Sequence, residues 1–388
     1  MDAPSFHLSE IEKSDLVALL QRVIQFPTED PPGREIDLAR FIRDTFMDWQ
    51  IPADLDEFEP GRANVIARLK GTGSRPGLVF SAHMDTMPAG QGTWRFPPFE
   101  GRLSEGRIYG RGAADMKSGL ATMMWAARRF ANGEMPLQGD LIIAFSGGES
   151  SNCLGAKQMI SVEALEGAGH LLVSEPSSLQ VLVAEKGAWW VKAVATGRPG
   201  HPSGADGTTG TGHNAIFKLV DFINDFRHFK PTFQKHPILG EPTMNIGTVS
   251  GGSAVNVTPD YAEAALDFRF VPGMSAEDML KEVQTLAGPE ISFETIDLKP
   301  PIVTPVDDPF VEVCLEACRS RLGQIGPPGG VAYYSDSAIF CPALGLPRVI
   351  IGPGELGMSG QRDEHVEVGN LVAATEIYMR IVFDLLVR

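Results

Sequence analysis

The chain has 388 residues, which is too long for one small hydrophobic core and favours two domains. Its 33 basic and 49 acidic residues give a net charge of −16, and this acidic balance argues against a nucleic-acid-binding surface. With 43% hydrophobic and 21% charged residues, the composition is that of an ordinary globular protein.

The N-terminal segment contains no basic region followed by an apolar one, and no apolar run approaches about 18 residues. We therefore expect no signal peptide and no membrane span, and we expect a cytoplasmic protein. Cys314 and Cys318 would share one face of a helix, but no further ligands lie close in sequence. Buried thiols are therefore favoured over a zinc site there.

Short apolar runs alternate with segments of helical spacing along most of the chain. The runs that are typical of strands buried on both faces lie at 77–85, 140–150, 170–176 and 348–354. The segments with apolar residues at helical spacing lie at 115–131, 214–226, 308–323 and 370–387. This alternation predicts an α/β sandwich, in which chemistry gathers beyond the carboxyl ends of the strands.

The middle of the chain has a different pattern. Alternating strand patterns surround a single helical segment there, which predicts a smaller inserted α+β unit. The proline-rich segment 298–309 is typical of a returning linker. We predict a discontinuous first domain of residues 1–190 and 300–388, and an inserted domain of residues 191–299.

Two motifs in the first half of the chain carry candidate metal ligands. In SAHMDTMP, His83 and Asp85 stand at a strand end. Imidazole often binds divalent transition metals, with a carboxylate on its other nitrogen, although a surface histidine beside a solvated aspartate is the alternative. In GRIYGRGAADMKSGL, Asp115 precedes a helix, where it could instead serve as an N-cap.

Two glutamates also follow strand-like runs. Glu149 lies in FSGGESSNCLGA and Glu175 in LLVSEPSSL, so one sheet could present both on the same edge as His83. In the inserted unit, His201 lies in the glycine-rich GRPGHPSG, where a histidine is often only exposed.

Asn256 and Arg269 are further polar candidates in the inserted unit. Arg269 alternates with apolar neighbours along a strand pattern, so it could equally face solvent.

The order of these motifs resembles one family. His-x-Asp, Gly-Arg-Gly-x-x-Asp-Met-Lys, an acidic loop, Ser-Glu-Pro, Gly-x-x-x-His and Gly-Gly-x-x-x-Asn-x-x-Pro-Asp follow one another along the chain. This order is similar to that of the co-catalytic metallopeptidase family of acetylornithine deacetylase, succinyl-diaminopimelate desuccinylase, aminoacylase and carboxypeptidase G. The resemblance implies a zinc-peptidase-like α/β fold, a mixed-sheet sandwich with an inserted α+β lid domain that usually dimerises.

The resemblance also implies a role for each candidate in the first domain. His83, Asp115 and Glu175 match the ligands of the first metal, and Asp115 matches the carboxylate that bridges two metals in the family. Asp85 matches the residue that orients His83. Glu149 matches the general base.

The candidates in the inserted domain match lid residues. His201 matches a histidine that polarises the oxygen on which charge develops. Asn256 and Arg269 match residues that hold a substrate carboxylate, a role that suits a guanidinium group.

The same resemblance implies that the family's two further ligands of the second metal are replaced in this chain. Ser150 takes the place of the second glutamate of a Glu-Glu pair, and Gly360 takes the place of a histidine near the C-terminus. His365 and Glu364 are neighbours that would have to reach back to restore that site. We therefore predict one divalent transition metal, either Mn, Co or Zn.

The function implied is metal-dependent hydrolysis of a C–N bond in a small carboxylate-bearing substrate. Loss of a two-ion clamp favours an aromatic aminohydrolase of the 5-nitroanthranilate type, whose ring absorbs developing charge. A deacylase or dipeptidase acting on N-acyl amino acids or dipeptides is the alternative, and a non-catalytic binding protein is the third. We expect a homodimer or higher homo-oligomer and no nucleic-acid or membrane partner.

Overall fold

The structure is a computed structural model, and it describes residues 4–201 and 213–388. The helices in these residues are α1 (Glu10–Ile24), α2 (Ile36–Asp48), α3 (Ser118–Arg128), α4 (Leu154–Ser161), α5 (Ala215–Phe226), α6 (Ala276–Ala287), α7 (Pro309–Leu322), α8 (Ser337–Leu344) and α9 (Val368–Val382). The strands are β1 (Ala53–Glu59), β2 (Arg62–Leu69), β3 (Gly77–His83), β4 (Arg102–Ser104), β5 (Arg107–Tyr109), β6 (Leu141–Ser146), β7 (Ala168–Val173), β8 (Leu182–Glu185), β9 (Gly187–Thr196), β10 (Thr243–Gly251), β11 (Tyr261–Phe270), β12 (Ile291–Lys299), β13 (Ile302–Val303), β14 (Gly329–Val331), β15 (Arg348–Ile350) and β16 (His365–Glu367).

The chain divides into two units. Unit 1 comprises Met1–Val183, Val303–Gly329 and Ser335–Arg388, and unit 2 comprises Ala184–Ile302 and Gly330–Tyr334. The sequence pattern suggested boundaries at residues 190 and 300, and no signal assigned the short second segment to unit 2. A lid or dimerisation role for unit 2 stays a prediction.

The large sheet is mixed, with the strand order β1-β2-β6-β3-β7-β15-β8-β13 and with β14 beside β8. β6 and β7 flank β3 and pair with it in parallel, whereas β2 runs antiparallel to β6. Every residue of β3 and β6 is buried, which requires apolar side chains on both faces of the sheet and explains their continuous apolar runs. The predicted α/β fold with a mixed sheet is confirmed.

Helices of unit 1 pack on the large sheet in two groups. α9 contacts both α3 and α7, and α3 packs on β3. α4 and α8 also contact each other, with α4 on β6 and α8 on β7. A small antiparallel sheet of the order β16-β5-β4 completes this unit among the described residues.

Unit 2 is built on an antiparallel sheet of the order β10-β11-β9-β12. α5 packs on β9 and β11, and α6 packs on β12. Aromatic side chains fill the core between helices and sheet; for example, Phe268 lies with its ring centroid 4.9 Å from that of Trp189 and 5.6 Å from that of Phe226. Alternation of buried and partly exposed positions along β11 reflects this one-sided packing.

In the described parts of the chain, every helix is too short or too polar to cross a membrane.

Candidate metal centre

Three parallel strands bring candidate residues to one edge of the large sheet. β3 ends at His83, Glu149 lies in the loop after β6, and Glu175 lies just after β7. Because the carboxyl ends of parallel neighbours share an edge, these side chains converge although the strands are far apart in sequence.

Asp115 reaches the same edge from a different element. It lies in the helical turn Ala113–Lys117 directly before α3, but its own backbone is extended, with φ −126° and ψ 96°. The peptide bond to Met116 is cis. The residue at the N-cap position of α3 is Lys117, so Asp115 is not the N-cap that the sequence left as an alternative.

His83, Asp115 and Glu175 form a compact cluster of potential ligand atoms. His83 Nε2 lies 3.1 Å from Asp115 Oδ1 and 3.6 Å from Glu175 Oε1, and the ligand atoms of all three residues lie within 4.8 Å of one another. His83 and Glu175 are buried, each with 5% of its surface exposed. One imidazole and two carboxylates fit a divalent transition metal and leave positions for water and substrate.

The tautomer of His83 suits a metal ligand. Its Nδ1 lies 2.9 Å from the backbone carbonyl of Asp85, which can only accept a hydrogen bond. Nδ1 therefore carries a proton, and the lone pair of the neutral ring is on Nε2, which faces the two carboxylates.

Burial and the neighbouring charges shift the pKa of His83 in opposite directions. Burial alone would lower the pKa of His83, but the carboxylates of Asp85, Asp115 and Glu175 raise it well above its ordinary value. Burial, together with the Asp115 charge, raises the pKa of Glu175 well above the usual range. The crowding of these charges therefore favours the protonated forms of both His83 and Glu175.

Asp85 connects His83 to the loop that carries Glu149. The Asp85 carboxylate lies 3.7 Å from His83 Nδ1, and its two oxygens instead accept the backbone N–H groups of Glu149 and Ser150, each at 3.0 Å. The sequence suggested that the carboxylate orients His83. In the structure, His83 Nδ1 hydrogen-bonds to the backbone carbonyl of Asp85, while the carboxylate accepts the two N–H groups of the acidic loop; a role of Asp85 in orienting His83 stays a prediction.

Glu149 is partly buried. Burial raises the pKa of Glu149 well above its ordinary range; the carboxylates of Asp336 and Asp85 act in the same direction, and His83 acts against them. Asp336, which accepts a hydrogen bond from Ser146 Oγ, is itself 3% exposed. Glu149 thus combines proximity to the cluster with a tendency to hold a proton.

Glu364 and His365, which follow Gly360 in the sequence, do not join the ligand cluster. Glu364 Oε1 accepts the backbone N–H groups of Ala114 at 2.9 Å and Asp115 at 3.0 Å, and Glu364 Oε2 lies 2.6 Å from Arg111 Nη1. Burial raises the pKa of Glu364 to about 7. Glu364 thus supports the Asp115 turn.

His365 belongs to β16, opposite Tyr109 of β5, and its Nδ1 lies 2.8 Å from the backbone carbonyl of Asp363. Within residues 4–201 and 213–388, the three-residue cluster is the one group of acidic, histidine or cysteine residues close enough to hold an ion.

Several residues near the site have contacts that the sequence did not predict. Ser359 Oγ donates a hydrogen bond to Asp115 Oδ2. Lys117 is fully buried, donates to the Phe26 carbonyl at 2.6 Å, and has its pKa lowered to about 7 by burial. Arg111 and Lys117 stand in the quoted GRGAADMK motif, but their partners are too distant in sequence for spacing to predict.

The candidates of unit 2 lie in different settings. His201 is exposed and follows Gly200, which bridges to Thr258, and Asn256 is also exposed. Arg269 Nε lies 2.9 Å from Asp267 Oδ1, and its guanidinium lies 5.2 Å from the Tyr334 ring centroid.

Residues 79–384 match the sequence model of Peptidase family M20/M25/M40. A probable succinyl-diaminopimelate desuccinylase of Staphylococcus epidermidis is 25% identical over 405 residues, which cover 96% of this chain and 98% of that protein. An acetylornithine deacetylase of Vibrio vulnificus is 29% identical over 343 residues, which cover 83% of this chain and 84% of that protein.

Solved structures share the fold. A crystal structure of the M20 family metallo-carboxypeptidase Sso-CP2 from Sulfolobus solfataricus aligns with a TM-score of 0.78 at 18% identity, covering 97% of this chain and 99% of that one. The Bacillus subtilis YXEP protein, described as a dinuclear metal-binding peptidase, aligns with a TM-score of 0.71 at 17% identity, covering 97% and 99%. At such identities the likeness is one of fold.

Proposed function

This chain belongs to Peptidase family M20/M25/M40, and on that premise we propose that it hydrolyses a C–N bond of a small carboxylate-bearing substrate with one bound divalent metal ion. The family resemblance predicted from the motif order is confirmed by the match over residues 79–384, and so is the prediction of a metal-dependent hydrolase. The observation that carries the proposal is the buried cluster of His83, Asp115 and Glu175 with Glu149 nearby.

His83, Asp115 and Glu175 are the proposed ligands, and Asp85 is the proposed support for both His83 and the acidic loop. A divalent ion held there would supply Lewis acidity, which lowers the pKa of a water molecule to about 7 in favourable cases. Around it, the carboxylates keep the local charge negative, and the Nδ1 hydrogen bond to Asp85 keeps the imidazole in the required tautomer.

We propose that Glu149 is the general base, which takes a proton from water and transfers it to the leaving nitrogen. Burial raises the pKa of Glu149 well above its ordinary range. This shift is towards neutral pH, where a general base transfers protons most effectively. Such proton transfer contributes about 100- to 10,000-fold to a rate.

One ion is proposed rather than two, although the Bacillus subtilis neighbour is described as dinuclear. Ser150 and Gly360 offer a hydroxyl and no side chain at the two positions expected to complete a second site. Elemental analysis after loading with excess Mn²⁺ or Zn²⁺ should give about one ion per chain. Two tightly held ions would contradict the assignment.

Two substrate classes have separate support. The names of the desuccinylase and deacetylase relatives favour amide hydrolysis of N-acyl amino acids. The proposed single ion favours an aromatic aminohydrolase of the 5-nitroanthranilate type, because an electron-poor ring stabilises negative charge that a second ion would otherwise stabilise. The deciding assay compares ammonia release from amino-aromatic carboxylates with acid release from N-succinyl and N-acetyl amino acids. If the metal-loaded protein releases neither product, hydrolysis as proposed is wrong.

In unit 2, we propose that Asn256 and Arg269 bind the substrate carboxylate and that His201 polarises the oxygen on which charge develops. Arg269 is already paired with Asp267, so a substrate carboxylate would share or replace that partner. An Arg269→Ala variant with an unchanged KM for a carboxylate substrate would contradict this assignment.

We also propose that unit 2 joins two copies of the chain. β10 is an edge strand whose Val249 is 58% exposed, and α5 exposes Phe217 at 45% and Val220 at 43%. An unpaired edge strand with exposed apolar residues is a common site of association between chains.

A further inference from the structure

The two carboxylate oxygens of Asp115 have different partners. Oδ1 lies 3.1 Å from His83 Nε2 and belongs to the ligand cluster. Oδ2 accepts a hydrogen bond from Ser359 Oγ. A carboxylate that bridged two ions would use both oxygens for metal, whereas here one of them is bound to a hydroxyl group.

Ser359 stands beside the position where the sequence lacks a second-metal ligand. Gly360 has a left-handed backbone (φ +71°), and a Cβ atom there would lie 3.0 Å from Met87 Sδ. Arg111 donates to the backbone carbonyl of Gly360 at 3.2 Å. The Met87 thioether and the Arg111 guanidinium group therefore lie against the turn at Gly360. Among the described residues of this turn, Ser359 is the one whose side chain hydrogen-bonds to a proposed metal ligand.

The main chain of Asp115 is also held. Its N–H donates to Glu364 Oε1 at 3.0 Å, and Glu364 is 1% exposed. With the backbone fixed, the remaining freedom of Asp115 is rotation of its carboxylate. The Ser359 hydroxyl restrains this rotation at Oδ2, while His83 Nε2 lies at Oδ1.

We propose that Ser359 is a positioning residue of the metal centre, whose hydroxyl holds Asp115 by Oδ2 so that Oδ1 alone is presented to a single ion. This inference rests on the proposed metal site. Groups that hydrogen-bond to a metal ligand fix its orientation, and their loss typically weakens metal binding by about 10- to 100-fold. Ser359 would therefore strengthen the binding of the single ion and also keep Asp115 from bridging two ions.

The test measures Mn²⁺ affinity of the full chain by titration against a competing chelator. Ser359→Ala should bind Mn²⁺ about 10- to 100-fold more weakly than the wild type. Ser359→Thr retains the hydroxyl and should bind Mn²⁺ about as tightly as the wild type. The melting temperature of each ion-free variant should match that of the ion-free wild type, since the hydroxyl acts on the ligand and not on the core.

Ser161→Ala is the matched control. Ser161 is an exposed serine whose Oγ donates to the Gln158 carbonyl at 2.8 Å, away from the cluster, and its loss should leave Mn²⁺ affinity unchanged. Wild-type affinity in Ser359→Ala, or a Ser359→Thr variant as weak as Ser359→Ala, would overturn the inference. If the wild type itself bound no ion, the proposed metal site would fail first, so the two failures are distinguishable.

Discussion

Glu149 and Glu175 both follow parallel strands, but Glu175 is a proposed metal ligand and Glu149 is the proposed base. Glu149→Gln removes the proposed base and keeps the size of the side chain, so we expect kcat to fall by about 100- to 10,000-fold. Its backbone N–H to Asp85 remains, and so the metal site should remain as well.

Two measurements check this prediction, the steady-state rate and the number of ions bound per chain. Glu166→Gln is the control because Glu166 is an exposed glutamate on the same unit, and it should leave both quantities unchanged. A Glu149→Gln protein that no longer binds its ion would make Glu149 a ligand.

His83 gives the metal site a pH dependence whose sign follows from its surroundings. Burial lowers the pKa of His83, but the neighbouring carboxylates raise it well above the ordinary value, so the ion-free protein holds a proton on His83 to higher pH than a free imidazole would. Ion binding at Nε2 must release that proton. Affinity should therefore rise with pH by about tenfold per pH unit per proton released, and level off above the pKa of His83.

Mn²⁺ titrations across the neutral range, repeated in buffers of different ionisation enthalpy, give both the affinity and the protons released. An affinity that stays constant with pH, with no proton release, would show that Nε2 is not a ligand.

At the scale of elements, the acidic loop of residues 147–151 is also held by a buried ion cluster. Ser151 Oγ donates to Asp30 at 2.7 Å, and Arg62 Nη2 lies 2.7 Å from Asp30 Oδ2 and 2.9 Å from Glu35 Oε1. Gly148 packs so closely that a Cβ atom there would lie 2.5 Å from Arg62 Nη2. β2, which supplies Arg62, thus supports the loop that carries the proposed base.

Arg62→Met should destabilise the protein strongly, because it leaves Asp30 and Glu35, whose side chains are 1% and 0% exposed, without their cation. Removing one partner of a buried ion pair costs about 3–5 kcal/mol. Arg43→Met is the matched control, since the Arg43–Asp44 pair is 38% and 63% exposed and should contribute at most about 1 kcal/mol. The measurement is urea denaturation of the ion-free proteins, and equal losses in the two variants would contradict the prediction.

Elements with continuous apolar runs could be predicted closely from the sequence. The run at 77–85 became β3, because a strand buried on both faces needs such a run. The helix expected over 115–131 instead begins at Ser118. Helical spacing of apolar residues continues through the preceding turn, so the spacing cannot reveal that the backbone at Asp115 is extended.

At the scale of the whole molecule, the proposed dimer should form through unit 2. Light scattering should give twice the chain mass of 41.9 kDa, and Val249→Asp should shift the protein towards one chain, because it places a charge on the exposed edge strand. Ile11→Asp is the control, since Ile11 is 75% exposed on α1 of unit 1 and should leave the mass unchanged. A single-chain mass for the wild type at all concentrations would show the dimer proposal to be wrong.

The family, the α/β class and the identity of the clustered residues could be predicted from sequence because each is encoded in short motifs. The contacts that tune the site could not. Ser359 and Asp115 are 244 residues apart, and Arg62 and Asp30 are 32 apart on different elements, so no local pattern links either pair. The assignment of Gly330–Tyr334 to unit 2 likewise depends on packing between distant segments.

The dispersal of the ligands has a consequence for the lifetime of the protein. His83 ends β3, Asp115 precedes α3 and Glu175 follows β7, so the three meet only when the central strands have paired. An unfolded chain therefore has no comparable site, and the ion binds the native state alone. At an ion concentration of one hundred times Kd, this linkage stabilises the native state by about 2.7 kcal/mol. Scarcity of the metal would thus lower the stability of the folded enzyme as well as its activity.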